Sequence, residues 1–308
     1  MTKLLIAAAA FITAGFANPA AARNITLEPS SNWVLDYAED SCALRRLFGE
    51  GKQRAQLEMR RFQPGVGLQT VVMTNATRAT DEPYRFRFDS DGEWTNVKRP
   101  LYARADKFQG VIFRHRLIKH PPRDETDGHG DAETEPEAKA EPELGDWVSY
   151  FSDISMQESA AAAQIRVLTI SRAFMRDLVL NTGPLEKPLL ALNHCVEELM
   201  SHWGIDVEAH KTRTRSALPV NSPSVWRIIK YPPNMAQRGL PGLVNIRLDV
   251  DETGRVTECH IQMPLSDPAF ERSSCTAIQG MLEFEPALDK DGTPMKSYFV
   301  TSVHFAMN

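Results

Sequence analysis

The sequence lacks a surplus of basic charge and is poor in cysteine. Its 308 residues contain 35 Lys and Arg against 40 Asp and Glu, and this balance excludes a broadly basic nucleic-acid-binding protein. Four cysteines are too few for a disulfide-dense miniprotein, although an even number allows complete pairing. Hydrophobic residues make up 42%, which is enough for sizeable cores. The length allows two ordinary domains.

Long apolar runs are also lacking, except at the amino terminus. Lys3 precedes an uncharged, alanine-rich run, and Ala20-Ala21-Ala22 offers the small residues that a signal peptidase requires. We therefore predict a signal peptide over residues 1–22 and an exported protein whose cysteines are paired. The alternative is a retained membrane anchor, but alanine contributes little to membrane insertion.

Residues 23–204 show mainly strand patterns, with apolar and polar residues alternating at a period of two. The predicted strands are residues 55–60, 68–72, 84–88, 111–118, 164–170 and 177–180. Pro184 then opens a helical pattern of leucines that ends before Gly204. We interpret these residues as a strand-rich N-terminal domain with a helix at its end.

Two segments differ from this pattern. Residues 121–146 contain ten acidic residues and almost no apolar side chains, so they bury too little surface to offset the entropy of ordering. We predict a disordered insertion there. Residues 205–222 are polar, basic and interrupted by Pro219, and we interpret them as a linker between two domains.

Residues 223–308 predict a small α+β domain with a three-stranded antiparallel sheet and two helices. Val244 to Val250 alternate with polar residues and lead through a turn into a second strand. The side chains predicted on the core face of that strand are Thr257, Cys259, Ile261 and Met263. The next helix is predicted to point inward with Phe270, Ser274, Ala277, Ile278, Met281 and Leu282. The last strand, residues 295–305, is predicted to point inward with Phe299, Thr301, Val303 and Phe305.

The cysteine positions predict two disulfides. Cys259 and Cys275 both face the core that the hairpin and the helix share, and a bridge closing a loop of about 17 residues stabilises by about 3 kcal/mol. Cys42 and Cys195 remain, near the two ends of the N-terminal domain. Other pairings would cross the two domains and conflict with a linker.

The C-terminal domain contains a series of five different short motifs. They are Tyr231-Pro232-Pro233, Gly242-Leu243-Val244-Asn245-Ile246, Asp251-x-x-Gly254-Arg255-Val256, Phe284-Glu285-Pro286-Ala287 and Asp291-Gly292-Thr293-Pro294. In this order and spacing, residues 223–308 resemble the C-terminal domain of the TonB family, and the two cysteines resemble those of a disulfide-bearing branch. The N-terminal domain resembles no family that we can name.

The resemblance implies a non-enzymatic periplasmic protein, without a cofactor, that binds a protein or an extended peptide. An outer-membrane transporter is one such partner, and the mode of binding would be strand addition to an exposed sheet edge. By analogy the edge is the last strand, with Tyr298, Val300 and Ser302, and the docking region includes Tyr231 and Pro232. Tyr231 and Pro232 could instead be purely structural.

The chain departs from a TonB energy transducer, which has an uncleaved anchor and a long proline-rich spacer. A cleaved signal and a folded N-terminal domain predict a soluble recognition module instead. Two alternatives stay open: an anchored transducer with a retained signal, and an envelope hydrolase with its active site in the N-terminal domain.

Catalytic and metal-binding motifs are not found. The sequence contains no G-x-S-x-G, H-E-x-x-H or P-loop. His194 and His202 lie eight residues apart on the predicted helix and are interpreted as a surface pair. Cys259 and His260 are adjacent strand residues that point to opposite faces, and a disulfide would remove the thiolate. We predict no catalytic residue and no metal site.

Overall fold

The structure, a computed structural model, describes residues 24–65, 67–89, 91–97, 100–118, 156–263 and 267–306. The predicted signal peptide, residues 1–22, and the predicted insertion, residues 121–146, lie outside the described residues. Within the described part of the chain, no helix has both the length and the apolar character needed to span a membrane.

The N-terminal region combines two sheets with a long helix. Its strands are β1 (Asn24–Leu27), β2 (Val34–Ala38), β3 (Ser41–Glu50), β4 (Gln53–Arg61), β5 (Leu68–Thr74), β6 (Arg85–Phe88), β7 (Thr95–Asn96), β8 (Leu101–Ala105), β9 (Phe108–His115), β10 (Leu168–Ser171) and β11 (Asp177–Leu180). Its helices are α1, described over residues 156–164, and α2 (Glu186–His202).

The strands of this region form one six-stranded and one five-stranded sheet. The larger has the order β2-β3-β4-β5-β9-β8 and the smaller the order β1-β11-β10-β6-β7. The larger sheet is antiparallel throughout, whereas β1 and β11 pair in parallel. The predicted strands are found with shifted ends: residue 164 is helical, and β9 ends at His115.

Helix α2 closes the N-terminal core. Leu189, Leu192, Val196 and Leu199 repeat at helical spacing and are buried, as the sequence predicts. Cys195 lies on the same face and forms a disulfide with Cys42 of β3. This bridge ties the helix to the six-stranded sheet, and both predicted ends of the domain are thereby connected.

The C-terminal region follows with short helices, a three-stranded sheet and two small ladders. Its helices are α3 (Val207–Lys211), α4 (Ser222–Ile228), α5 (Pro233–Gln237) and α6 (Pro268–Gln279). Its strands are β12 (Leu218–Pro219), β13 (Gly242–Val250), β14 (Val256–Met263), β15 (Phe284–Glu285), β16 (Ala287–Leu288), β17 (Pro294–Met295) and β18 (Ser297–Phe305).

The antiparallel sheet β14-β13-β18 carries α6 on one face. The buried side chains of α6 are Phe270, Ser274 and Ile278, and its N-terminus is capped by the Asp267 carboxylate. A disulfide joins Cys259 of β14 to Cys275 of α6. The α+β architecture and both disulfides predicted from the sequence are therefore present.

Three predicted core positions of this region are wrong, and one of them, Thr257, is exposed. A register shift between Asn245 and Ile246 places Met263 opposite Asn245, so Met263 turns to the other face of the sheet, where its sulfur accepts from Gln69 at 3.5 Å. Met281 is 47% exposed because α6 ends at Gln279 and the helical spacing no longer applies.

Residues 205–222 take part in the fold along their length. They include α3 and β12, and β12 pairs with β15. Ile205, His210 and Ala217 are buried. This segment, predicted to be a linker, thus packs against both neighbouring regions.

Candidate partner-binding edge

Strand β18 forms one edge of the C-terminal sheet. It pairs with β13 along its whole length, from Ser297 opposite Val250 to Phe305 opposite Gly242. Among the described residues, no strand pairs with the other side of β18. An edge of this kind presents a row of backbone N–H and C=O groups to which another extended chain can add.

One face of β18 is anchored in the C-terminal core. Phe299 and Phe305 are 7% and 5% exposed. The ring of Phe299 lies 5.1 Å from that of Phe284, and the ring of Phe305 lies 4.7 Å from that of Phe270. These contacts hold the strand straight against α6 and the β15 segment.

The opposite face of β18 meets α3 and the N-terminal region. Tyr298 stacks on His210 with ring centroids 5.6 Å apart, and its hydroxyl donates to the sulfur of Met200 at 3.3 Å. Val300 is buried at 5% exposure. Ser302 Oγ donates to Asn245 Oδ1 at 2.7 Å. The three side chains predicted to bind a partner on this strand therefore all contact the protein itself.

Tyr231 and Pro232 lie beside the carboxyl end of β18. The Tyr231 ring meets Phe270 and Phe305 edge-on, each at 5.6 Å, and its hydroxyl donates to the Leu240 carbonyl at 2.5 Å. Desolvation raises the pKa of this hydroxyl. Pro232 is buried, and its carbonyl accepts from the first backbone amides of α5.

Three of the five predicted partner-binding residues thus lie on β18, and the other two lie beside its carboxyl end. Tyr231 lies near its carboxyl end, and Tyr298 lies near its amino end. Since their side chains are occupied in packing and hydrogen bonding, what β18 offers to a partner is its backbone. Their role in binding stays a prediction.

Residues 228–307 match the family model described as the Gram-negative bacterial TonB protein C-terminal. This is a TonB-like domain. The match spans about a quarter of the 308 residues and confirms the resemblance based on the motifs. No family model matches the N-terminal region, and no curated protein or solved structure matches the chain. The TonB C-terminal family is non-enzymatic, so any catalytic activity would belong to the N-terminal region.

The polar face of the TonB-like sheet packs on the six-stranded sheet through a buried hydrogen-bond network. Arg114 of β9 donates to Asn245 Oδ1 at 2.6 Å and also to Ser302 Oγ. Asn245 Nδ2 in turn donates to Gln69 Oε1 of β5 at 3.1 Å. Burial lowers the pKa of Arg114 to about 10. The network fixes the middle of β18 relative to both sheets.

A second contact centres on Arg247 of β13. Its guanidinium donates to Asp40 Oδ1 at 3.1 and 3.2 Å and to Asp249. It also lies 4.4 Å from the centre of the Trp203 ring. The side chain of Arg247 is only 4% exposed, and ionic groups so well buried need several partners. Arg247 therefore links the TonB-like sheet to the β2–β3 turn and the end of α2.

A third contact joins α3 to the start of β18. His210 Nε2 lies 3.0 Å from Ser297 Oγ, and His210 is 3% exposed. Desolvation, with a smaller contribution from Arg213, lowers the pKa of His210 to about 4. The imidazole is therefore neutral at neutral pH.

The N-terminal region encloses a charged cluster of its own. Arg61 bonds to both Glu158 and Asn193, and the side chains of Arg61 and Glu158 are 1% and 2% exposed. His115 Nε2 lies 2.8 Å from Thr70 Oγ1, and desolvation lowers its pKa to about 3. Because these ionic groups are enclosed, they present no surface to a substrate and favour a structural role.

Sequence reasoning missed the residues that join the two regions. Asn245 and Arg247 alternate with apolar residues on β13, yet they are 0% and 4% exposed. The sequence offered one signal: both side chains carry several hydrogen-bonding groups and lie on the same face of the predicted strand. Their partners, Asp40, Gln69 and Arg114, lie far away in sequence and gave no local signal.

Proposed function

We propose that this chain is a non-enzymatic protein of the cell envelope whose TonB-like domain binds an extended segment of a protein partner. The partner strand adds to the side of β18 that faces away from β13 and continues the β14-β13-β18 sheet. The single observation that supports this proposal is that, among the residues the structure describes, β18 pairs with a strand on one side only, within the residues that match the TonB C-terminal family.

The packing of β18 supports this mode of binding. Both side-chain faces of the strand are covered, by the domain's own core and by the N-terminal region. The strand is therefore held in an extended conformation before a partner arrives, and a preorganised edge lowers the entropic cost of binding. Specificity then depends on the side chains of the partner and on the surfaces beside the edge.

The N-terminal region acts, in this proposal, as a platform that fixes the orientation of the edge. Three separate contacts, through Arg114, Arg247 and Tyr298, hold the TonB-like sheet against it. A soluble exported module of this kind would present its edge at a defined angle to an envelope partner. A segment of an outer-membrane transporter is the first partner to test.

The proposal can be tested with extended peptides and hydrogen exchange. Peptides would be selected from a random display library against the purified full chain, and amide exchange would then be measured by mass spectrometry with and without the selected peptide. We expect slower exchange in β18, residues 297–305, because the added strand forms backbone hydrogen bonds along it. The opposite edge, β14, is the internal control and should be unchanged.

Two results would contradict the proposal. One is failure to select any peptide that binds the full chain. The other is protection at β14 or on α6 with none at β18, which would assign binding to another surface of the same domain.

A further inference from the structure

Three metal-binding side-chain types meet on the polar face of the β13–β14 hairpin. Asp249 of β13 lies directly opposite Glu258 of β14. His260 follows Glu258 by two residues, so both side chains point to the same face of the strand. This face is opposite to the one that carries Cys259 and its disulfide to α6. The arrangement sits on paired strands, which hold side chains in place better than loops do.

The donor atoms of these side chains converge. His260 Nε2 lies 3.2 Å from Asp249 Oδ2 and 3.2 Å from Glu258 Oε2. Suitable donor atoms of all three residues lie within 4.8 Å of one another. In a tetrahedral zinc site with metal–ligand distances of about 2.0–2.2 Å, neighbouring ligand atoms are about 3.3 Å apart. Hydrogen bonds between ionised partners are usually shorter, at about 2.7–2.9 Å.

The charge of the surroundings favours a cation. The carboxylates of Asp40 and Asp249 both bond to the guanidinium of Arg247, and a third carboxylate, that of Glu258, lies 3.2 Å from His260 Nε2. Arg247 donates a hydrogen bond to Oδ1 of Asp249, whereas His260 contacts Oδ2 of the same carboxylate. An outer-shell partner of this kind orients a ligating carboxylate and leaves its other oxygen directed at the metal.

We propose that Asp249, Glu258 and His260 bind a zinc ion. Imidazole nitrogen and carboxylate oxygens are established zinc ligands, and three protein ligands leave a fourth position for water. Asp249 and His260 have side chains 11% and 28% exposed, whereas that of Glu258 is 67% exposed. The ion therefore enters from the solvent side at Glu258. The site adjoins the Asp40–Arg247 contact that joins the two regions.

Isothermal titration of ZnCl₂ into the full chain, purified without a histidine tag and treated with EDTA, tests the proposal. We expect one zinc ion per chain. Glu258→Gln and His260→Asn should each weaken binding by at least about tenfold, because loss of a ligand exceeds the effect of losing an outer-shell partner. Co²⁺ should give the visible absorption of a tetrahedral site in the parent chain and lose it in both variants.

His194→Ala is the matched control. His194 is an exposed histidine on α2 that lies 3.4 Å from Glu198, so it offers a second histidine–carboxylate pair outside the proposed site. We expect it to leave zinc binding unchanged. Absence of stoichiometric binding to the parent chain, or binding that survives Glu258→Gln, overturns the proposal. Because Glu258 is exposed, that variant should keep the far-ultraviolet circular dichroism of the parent even if His260→Asn does not.

The zinc proposal and the peptide proposal fail separately. Zinc binding is measured by titration of the full chain and depends on Glu258 and His260 of the β13–β14 hairpin. Peptide binding is measured by amide exchange in β18. A chain that binds peptide without zinc contradicts only the metal site, and a chain that binds zinc without peptide contradicts only the edge strand.

Discussion

From Asn245 to Leu248, the two faces of β13 are similarly buried but chemically opposite. On one face, Ile246 and Leu248 pack in the apolar core beneath α6, and both are 0% exposed. On the other face, Asn245 and Arg247 meet the N-terminal region at 0% and 4% exposure. The first face gains stability from apolar area removed from water, whereas the second depends on every polar group finding a partner.

The difference shows how two regions of one chain can be held in a fixed orientation. An apolar contact tolerates sliding because the hydrophobic effect is non-directional. Hydrogen bonds and ion pairs have defined distances and angles, so the Arg114 and Arg247 contacts allow one arrangement of the two sheets. The polar face of β13 therefore sets geometry, and the apolar face supplies the domain's own core.

The largest expected effect comes from Arg247→Ala. It leaves the buried carboxylate of Asp249 and the half-buried carboxylate of Asp40 without their cation, and breaking a buried ionic contact in this way costs about 3–5 kcal/mol. Leu248→Ala on the apolar face is the matched comparison, with an expected cost of about 2–5 kcal/mol. Urea unfolding followed by circular dichroism measures both. If Arg247→Ala left the free energy of unfolding nearly unchanged, the polar face of β13 would contribute little to stability.

Removal of the disulfide on the apolar face is expected to have the next largest effect. The double variant Cys259→Ser, Cys275→Ser opens a bridge between residues 16 apart in sequence, and the chain-entropy model predicts a loss of about 3 kcal/mol. Unfolding of the TonB-like region in urea, monitored by hydrogen exchange in β13 and α6, measures it. If amide protection in the N-terminal core decreased by the same amount, the two apolar cores would not be independent, and the expectation would be wrong.

A pH effect is expected at the polar face through His210. Its folded-state pKa of about 4 is below the ordinary value of 6.5, so the unfolded chain binds more protons between these values. The free energy of unfolding should therefore fall as pH decreases from 6.5 towards 4, with this residue contributing up to about 3 kcal/mol.

His210→Gln isolates this contribution, because glutamine does not titrate. The stability difference between the parent chain and this variant should be largest above pH 6.5 and should shrink as the pH approaches 4. A difference that is independent of pH would show that His210 titrates normally in the folded protein.

The smallest expected effect is that of Tyr231→Phe. The variant loses only the hydroxyl that donates to the Leu240 carbonyl and keeps the ring contacts with Phe270 and Phe305. We expect a loss of about 0.5–1.5 kcal/mol in the free energy of unfolding and unchanged affinity for a β18-binding peptide. Loss of peptide affinity without loss of stability would instead assign the hydroxyl a direct role in binding.

The local patterns in the sequence predicted much of each region but none of the contact between them. The alternation in β13, the leucine spacing of α2 and both cysteine pairs agree with the structure. Met263 was assigned to the wrong face because a bulge inserts a residue into the pairing, and one extra residue reverses the side-chain direction. Periodicity alone does not reveal such a bulge.

The sequence predicted the domain and the strand that form the candidate site, but not the contacts of its side chains. The motifs led to the correct domain and to β18 as the last strand, but not to the contacts of Tyr298 and Ser302 with the N-terminal region. The convergence of Asp249, Glu258 and His260 was also missed, because it depends on the register between two strands and not on the spacing within one.

The amino-acid sequence by itself determined the strands and helices with clear periodicity, the apolar core of each region and the TonB-like character of the last quarter of the chain. These depend on hydrophobic periodicity, turn residues and motifs that act over short distances. Only the tertiary structure decided that the polar face of β13 is buried, since Arg247 and its partner Asp40 are 207 residues apart. A polar side chain carries no local record of whether water or a distant part of the chain will satisfy its hydrogen bonds.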